Sequence, residues 1–375
     1  MVAPNDSGEI SPRAEVGVAE RSKIEVLERD SEIRIGQERW SMVNGSTVID
    51  MQHHFIPGGA LRFIGKTPEH DFTIGLQKYS KAYETIGDVE VHLKYMDAAG
   101  IDVAILSMGP YTSNGYNFCK ACNEGFSQII KEFPGRFKGM IQVYPYDHDK
   151  NEDEIKRGVE ELGLWGIALV SSYGEITIDS QLIYPLYEMA LKYDMPVFVH
   201  PPVRIDLWGG GRYDLYLTLA REYDIAKSFV EIFYGVLPRF PDLKVILSHL
   251  GGGLSALKGR LLAWHRPDGF AIPPEERNYG RSVLEAKELG LLNDFESRAK
   301  NILFDSAGYG GWLPVIKSAF ETLGPDHICF GTDYPYELSK PTYTRMIIDD
   351  VNQLDIPDDD KRKYLRGNLE KLFCQ

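Results

Sequence analysis

Four cysteines in 375 residues are too few for a disulfide framework, so the fold must stand on an apolar core. The pair Cys119 and Cys122 has no second CxxC to complete a tetrahedral zinc site. Their spacing suits one face of a helix, where free cysteine behaves as a small apolar residue. Long apolar runs are missing too. Nothing approaches the roughly 18 to 20 residues that span a bilayer. Residues 1–40 alternate charges without the apolar stretch of a signal peptide, so a cytoplasmic protein is the expectation. Basic residues are in deficit: 41 Lys and Arg stand against 55 Asp and Glu, a formal net charge of -14. That balance opposes nucleic acid and anionic membrane and leaves a small molecule as the expected partner.

What is present is ordinary globular material, 43% hydrophobic and 26% charged, in a strongly patterned order. Short β-branched runs alternate with longer amphipathic stretches, the rhythm of a parallel sheet with crossover helices. The runs are Thr47–Met51, Asp102–Met108, Phe137–Tyr144, Gly166–Ser171, Pro196–His200, Lys244–His249, Ile302–Asp305 and Ile328–Asp333. Between them the spacing predicts helices over Val89–Ala99, Phe118–Phe133, Asp153–Leu162, Pro185–Tyr193, Ala226–Leu237, Leu254–Trp264 and Leu313–Leu323, with Asp358–Phe373 closing the chain. Gly100, Pro134, Gly163 and Gly324 supply stop signals. The fold class is therefore α/β, a single (β/α)8 TIM barrel, with a doubly wound open sheet as the alternative.

Three stretches exceed what a minimal barrel needs: residues 56–88, 201–225 and 266–300. The first two follow strands and would be long loops at the C-terminal face, walls or lids of a pocket. The third leaves a helix end and suits a subunit contact, in keeping with a homodimer or larger oligomer. Residues 1–45 hold too few apolar positions for a core of their own and read as an N-terminal arm or disordered tail, leaving 46–375 as the barrel.

Polar residues gather where the apolar runs stop. Strand one ends in Asp50-Met51-Gln52-His53-His54, strand five in Val199-His200-Pro201, strand six in Ser248-His249-Leu250 and strand eight in Gly331-Thr332-Asp333-Tyr334. Barrel enzymes assemble their sites from several strand ends in this way. A lone histidine there would usually be structural. Three strands each delivering one, with an aspartate on the eighth, point to metal chemistry. In an extended strand Gln52 and His54 face one side and His53 the other.

These segments resemble the amidohydrolase superfamily, in its amidohydrolase-related (family 2) branch, which includes aminocarboxymuconate-semialdehyde and γ-resorcylate decarboxylases. The likeness runs from about Thr47 to Phe373. It rests on the strand-one motif, "FPGRFKGMIQVYP" (133–145), "MPVFVHPP" (195–202), "FPDLKVILSHLGGG" (240–253), "ILFDSAG" (302–308), "ICFGTDYPY" (328–336) and "GNLEKLF" (367–373). The resemblance implies one divalent metal ion on Gln52, His54, His200 and Asp333, with His249 as acid or base and Asp333 also in the catalytic set. Zinc is the first expectation for the ion, with manganese or iron as alternatives. It implies a small carboxylate substrate and non-oxidative decarboxylation or hydrolysis.

Gln52 departs from the family pattern, where histidine or glutamate is usual. Its neutral amide would bind through the carbonyl oxygen, and His53 is a further candidate ligand or the seat of a second ion. The end of strand four offers Leu169-Val170-Ser171 and no lysine, so a carbamylated-lysine dinuclear centre is not expected. For the substrate carboxylate, Arg204 and Arg212 are candidate clamps, and Trp208 could stack on a planar substrate. Two further readings stay open: a redox-metal (Fe/Mn) oxygenase component, as in 2-aminoisobutyrate hydroxylase, and a non-catalytic partner subunit working with a homologous chain.

Overall fold

The computed structural model describes residues 48–64, 85–202, 212–215, 217–265, 298–309 and 311–373. The predicted arm, much of the first and third long stretches, and the middle of the second lie outside them.

All strands that build the main sheets run parallel. They are β1 (Ile49–His54), β2 (Val103–Ser107), β3 (Phe137–Gly139), β4 (Ile141–Gln142), β5 (Ile167–Val170), β6 (Val197–His200), β7 (Val245–Leu247), β8 (Ile302–Asp305) and β9 (Ile328–Cys329). One sheet has the order β1-β2-β3 and the other β9-β8-β7-β6-β5-β4. Every residue of these strands is buried, which is why their sequences read as apolar runs rather than alternations.

The expected third strand is split. Phe137–Gly139 pairs with β2 and Ile141–Gln142 with β5, so one run serves a neighbour on each side. Met140 N–H bridges the change by donating to Leu106 O at 3.0 Å. The first strand extends past its expected end at Met51 to His54, with a register shift against β2 between Asp50 and His53. Past β9 the chain turns back on β1: Met51 N–H donates to Phe330 O (2.9 Å), Asp333 N–H to Gln52 O (3.0 Å) and His54 N–H to Tyr334 O (2.8 Å). The ends of the first and last strands are thereby tied at the level of the polar residues.

Helices cover the sheets, each for a visible reason. α1 (Val89–Ala99) starts where Asp88 Oδ1 accepts from Glu90 and Val91 N–H. It stops at Gly100, whose φ of 80° suits glycine. α2 (Tyr116–Glu132) buries Phe118, Cys119, Cys122 and Phe126. Both cysteines are free, and burial pushes their thiols up, as expected of packing residues. α3 (His148–Arg157) and α4 (Tyr184–Lys192) follow.

α5 (Leu219–Glu231) begins seven residues before the predicted Ala226, so part of the supposed pocket loop is helix. α6 (His249–His265) opens with a left-handed stretch, Leu250–Gly253, after which regular helix begins at the predicted Leu254. α7 (Leu313–Thr322) matches its predicted start. α8 (Pro341–Asn352) was not anticipated, although Pro341 in the first turn and buried Thr344, Ile347, Ile348 and Val351 at helical spacing mark it. It packs on α1, where Tyr95 and Thr344 share a hydrogen bond of 2.7 Å. The predicted last helix appears as α9 (Asp358–Arg362) and α10 (Asn368–Phe373), joined by a wide turn at 363–367. Among the described residues no helix is long and apolar enough to cross a membrane.

Candidate metal centre

Three of the predicted strand ends converge. One nitrogen each of His54 and His200 and one oxygen of Asp333 all lie within 4.8 Å of one another, and all three residues are buried. His54 comes from β1, His200 from the end of β6, and Asp333 from the turn after β9. Asp333 has a φ of 54° and His249 of 54°, conformations that cost a non-glycine residue energy and cluster at functional sites.

The proton positions follow from the partners. His54 Nδ1 faces Ser107 O at 3.1 Å, and His200 Nδ1 faces Pro201 O at 2.7 Å. A carbonyl only accepts, so both rings place their proton on Nδ1 and turn a bare Nε2 inward. Burial keeps His200 neutral, with its pKa well below the ordinary value. His54 Nε2 then stands 2.7 Å from Asp333 Oδ1, a contact that is favourable only with a second proton on the ring or a cation between the two atoms. Burial alone would raise Asp333, but its contacts with His200 and His54 hold its carboxyl well below the usual range. A divalent cation among these atoms would serve the same contacts without that second proton.

Gln52 joins the cluster. Its Nε2 lies 2.7 Å from Asp333 Oδ1, 3.0 Å from His200 Nε2 and 3.3 Å from His249 Nε2. Gln52 Oε1 and Asp333 Oδ2 are buried without a hydrogen-bond partner. Two orphaned oxygens beside two imidazole lone pairs form a donor set that fits a divalent ion. The amide oxygen is available once the side chain turns over.

His249 sits at the rim of this cluster with its ring against Gly308, where an added Cβ would meet Cγ of His249 at 2.5 Å. Its Nδ1 donates to Glu222 Oε1 at 2.8 Å. Burial opposes a charge on His249, but the Glu222 carboxylate outweighs it and pushes the imidazole up to about 9. Asp305, at the end of β8, accepts from the His249 N–H at 3.3 Å and from Ala307 N–H at 3.0 Å. Burial raises Asp305 to about 8.

The remaining candidates separate. His53 is not brought to the cluster: its Nδ1 faces Asp50 Oδ2 at 2.8 Å and its Nε2 faces His92 Nδ1 at 2.9 Å. Arg212 is exposed and lies over the Tyr213 ring, 5.4 Å from its centre. Arg204 and Trp208 lie outside the described residues. Sequence reasoning missed Glu222 and Arg221 because both fell in a stretch read as loop, and Asp305 because its strand end was given no role.

A family model described as "Amidohydrolase" matches residues 49–374. The chain belongs to the amidohydrolase family. Among curated relatives, it is 24% identical over 266 residues to 2-amino-3-carboxymuconate-6-semialdehyde decarboxylase of Dictyostelium discoideum, covering 68% of each chain. It is 25% identical over 303 residues to gamma-resorcylate decarboxylase of a Rhizobium species, covering 76% of this chain and 86% of the relative. Among solved structures, 5-carboxyvanillate decarboxylase of Novosphingobium aromaticivorans, complexed with manganese and 4-hydroxy-3-methoxy-5-nitrobenzoic acid, superposes with a TM-score of 0.71 at 23% identity. That match covers 88% of this chain and 97% of the other. A 2,6-dihydroxybenzoate decarboxylase complexed with 2,6-dihydroxybenzoate gives 0.66 at 23% identity, covering 88% and 100%. These likenesses establish a shared α/β fold.

Proposed function

We propose that this amidohydrolase is a metal-dependent decarboxylase of a small carboxylate whose carbon skeleton carries a neighbouring hydroxyl or oxo group, built on a closed (β/α)8 barrel over residues 46–375. Backbone hydrogen bonds between β1 and residues 330–334 support closure. The observation that carries the reading is the buried His54, His200 and Asp333 cluster, whose two ring nitrogens and carboxylate oxygen lie within 4.8 Å of one another. The names of the relatives narrow the chemistry to loss of carbon dioxide.

Gln52, His54, His200 and Asp333 would hold one divalent ion. When bound, the ion orients and polarises substrate oxygens as a Lewis acid. Manganese, present in the neighbouring decarboxylase, is the first ion to try beside zinc and iron. His249 presents Nε2 to the cluster while Glu222 holds Nδ1, so the ring cannot turn away. It delivers a proton to the carbon that bears the carboxylate. The carbon–carbon bond breaks, its electron pair stays with that carbon, carbon dioxide leaves, and His249 takes a new proton from solvent. Asp305 fixes the backbone of His249 in its left-handed turn. The oxygenase reading gains no support from His53, whose two nitrogens are both engaged away from the cluster.

The test supplies the protein with manganese, zinc or iron and measures carbon dioxide release from ortho-hydroxybenzoates and amino-carboxy-dienoates in heavy water. One deuterium should replace each carboxylate lost. Absence of release across both classes with an ion-loaded protein would overturn decarboxylation, and turnover dependent on dioxygen would favour the oxygenase.

A further inference from the structure

Helix α5 is fastened to the sheet more firmly than its place after a long connection requires. Asp224, buried on α5, accepts from the hydroxyls of Ser171 and Ser172 just beyond β5, the latter at 2.9 Å. Ser228 Oγ donates to Ser171 O at 3.1 Å. On the other side the helix presses against the glycine run that opens α6. A Cβ on Gly252, which has a φ of 67°, would lie 2.1 Å from Glu222 O, so only glycine lets α5 come so close. The first turn of α5 is thus packed beside His249, and it carries two side chains of opposite charge.

Glu222 is fully committed: Oε1 accepts from His249, and Oε2 accepts from Tyr309 Oη at 3.4 Å. Arg221 is not. It is half-buried, and its Nε is buried with no hydrogen-bond partner. Its chain neighbour Glu222 contacts His249 at 2.8 Å, which brings Arg221 to the rim of the centre. A guanidinium next in the chain to the residue that holds His249, with a desolvated N–H still unpaired, lacks an acceptor that a ligand would bring. The planar two-oxygen acceptor that matches the Nε and Nη fork of arginine is a carboxylate.

We propose that Arg221 is the specificity-determining residue of this site, receiving the substrate carboxylate from α5 while the metal centre takes the neighbouring oxygen. The proposal deepens the decarboxylase reading and rests on it. It replaces Arg212, which is exposed, as the cationic clamp. Glu222 tethers the imidazole and Arg221 the anion, so adjacent residues of one helical turn set the distance between proton donor and leaving group.

The test measures binding rather than turnover. Manganese-loaded full-length chain is titrated calorimetrically with 2,6-dihydroxybenzoate and salicylate, and with resorcinol and phenol, which keep the ring and lack the carboxylate. In Arg221→Met the carboxylates should weaken on the order of 10- to 100-fold, the value of a charged, paired hydrogen bond. The phenols should change less than about twofold, and Arg221→Lys should recover part of the loss. Equal weakening of both ligand classes, an unchanged carboxylate affinity in Arg221→Met, or no binding of either carboxylate by the wild type would each overturn the proposal. Manganese content and carbon dioxide release, measured separately, judge the parent reading. If Arg221→Met fails to fold, Arg221→Gln keeps the polarity and loses the charge, with the same expected split.

Discussion

Strand β1 carries buried polar side chains into two different surroundings. Asp50 and His53 meet a sealed network. Asp50 accepts from Thr332 N–H at 2.9 Å and Thr332 Oγ1 at 2.6 Å, and contacts His53 Nδ1 at 2.8 Å. His53 Nε2 then meets His92 Nδ1 at 2.9 Å, and His92 Nε2 donates to Thr85 O at 3.1 Å. Thr85 O only accepts, so a neutral His92 donates outward and His53 donates to His92, and a neutral His53 then accepts at Nδ1 a proton carried by Asp50. Burial raises Asp50 to about 7, lowers His53 to about 3 and lowers His92, in accord with a neutral chain. On the other side Gln52 Nε2 donates to Asp333 Oδ1 and reaches His200 Nε2, while Gln52 Oε1 and Asp333 Oδ2 stay buried without a partner. Histidine and carboxylate occur on both sides, and whether the protons close decides which side holds structure and which awaits a ligand.

The largest expected effect tests the open side. Asp333→Ala should abolish tight binding of the divalent ion and lower turnover by about 10³-fold or more, since both the ion and its orientation are lost. Ion content after dialysis against a weak chelator and carbon dioxide release are the measurements. A folded Asp333→Ala chain with full ion content would sink the assignment.

On the sealed side the effect should appear in stability and not in ion binding. His53→Ala leaves His92 Nδ1 and the Asp50 carboxyl without their partner and opens a cavity beside the stacked Tyr334 ring. A loss of about 3 kcal/mol is expected, typical of a broken buried network. Urea unfolding should show it, while ion stoichiometry stays at about one per chain. Loss of an ion with His53 would instead revive the two-ion reading.

Much of this contrast was legible from sequence. Apolar runs ending in polar residues located β1, β6, β7 and the turn after β9, and the period-2 rule separated His53 from Gln52 and His54. His92 was not seen as a partner, because an interior helix position gives no sign of which strand residue it will meet. Arg221 and Glu222 were lost for another reason. The start of α5 has no side-chain cap at Thr218, and a helix without its usual opening signal reads as loop. Asp305 shows the limit of counting ligand types, since it is a buried carboxylate at a strand end that holds a backbone N–H and not the cluster.

A third test uses acid. The folded pKa of His92 lies below its ordinary value, so the unfolded chain takes up a proton near pH 6.5 that the folded chain refuses. Its contribution is therefore complete above pH 6.5 and is lost as pH falls, by about 1.4 kcal/mol per pH unit. His53, lowered to about 3, acts in the same sense and Asp50, raised to about 7, in the opposite sense, so the wild-type slope sums several buried groups. Subtracting the slope of His92→Phe isolates the histidine. Urea midpoints between pH 6.5 and 5 should fall less steeply in the variant, and parallel slopes would show that His92 is already protonated in the fold.

The smallest effect is expected at Gln52, and it sharpens the open side most. Gln52 offers a neutral amide where His54 and His200 offer imidazoles and Asp333 a carboxylate, and its oxygen reaches the ion only after the amide turns over from its hydrogen bonds to Asp333 and His200. That rotation gives up two hydrogen bonds, which offsets most of what a weak carbonyl ligand contributes. Gln52→Ala should therefore weaken manganese binding only on the order of tenfold, against a far larger loss in His54→Ala, both read by calorimetric titration of ion-free protein. Gln52→Glu should tighten binding, because it adds a charge without changing the reach of the side chain. If Gln52→Ala costs as much as His54→Ala, the amide is a full ligand. If it tightens binding, Gln52 fills the place of the ion in the resting protein, and the neutral residue at this position sets how readily the centre loads.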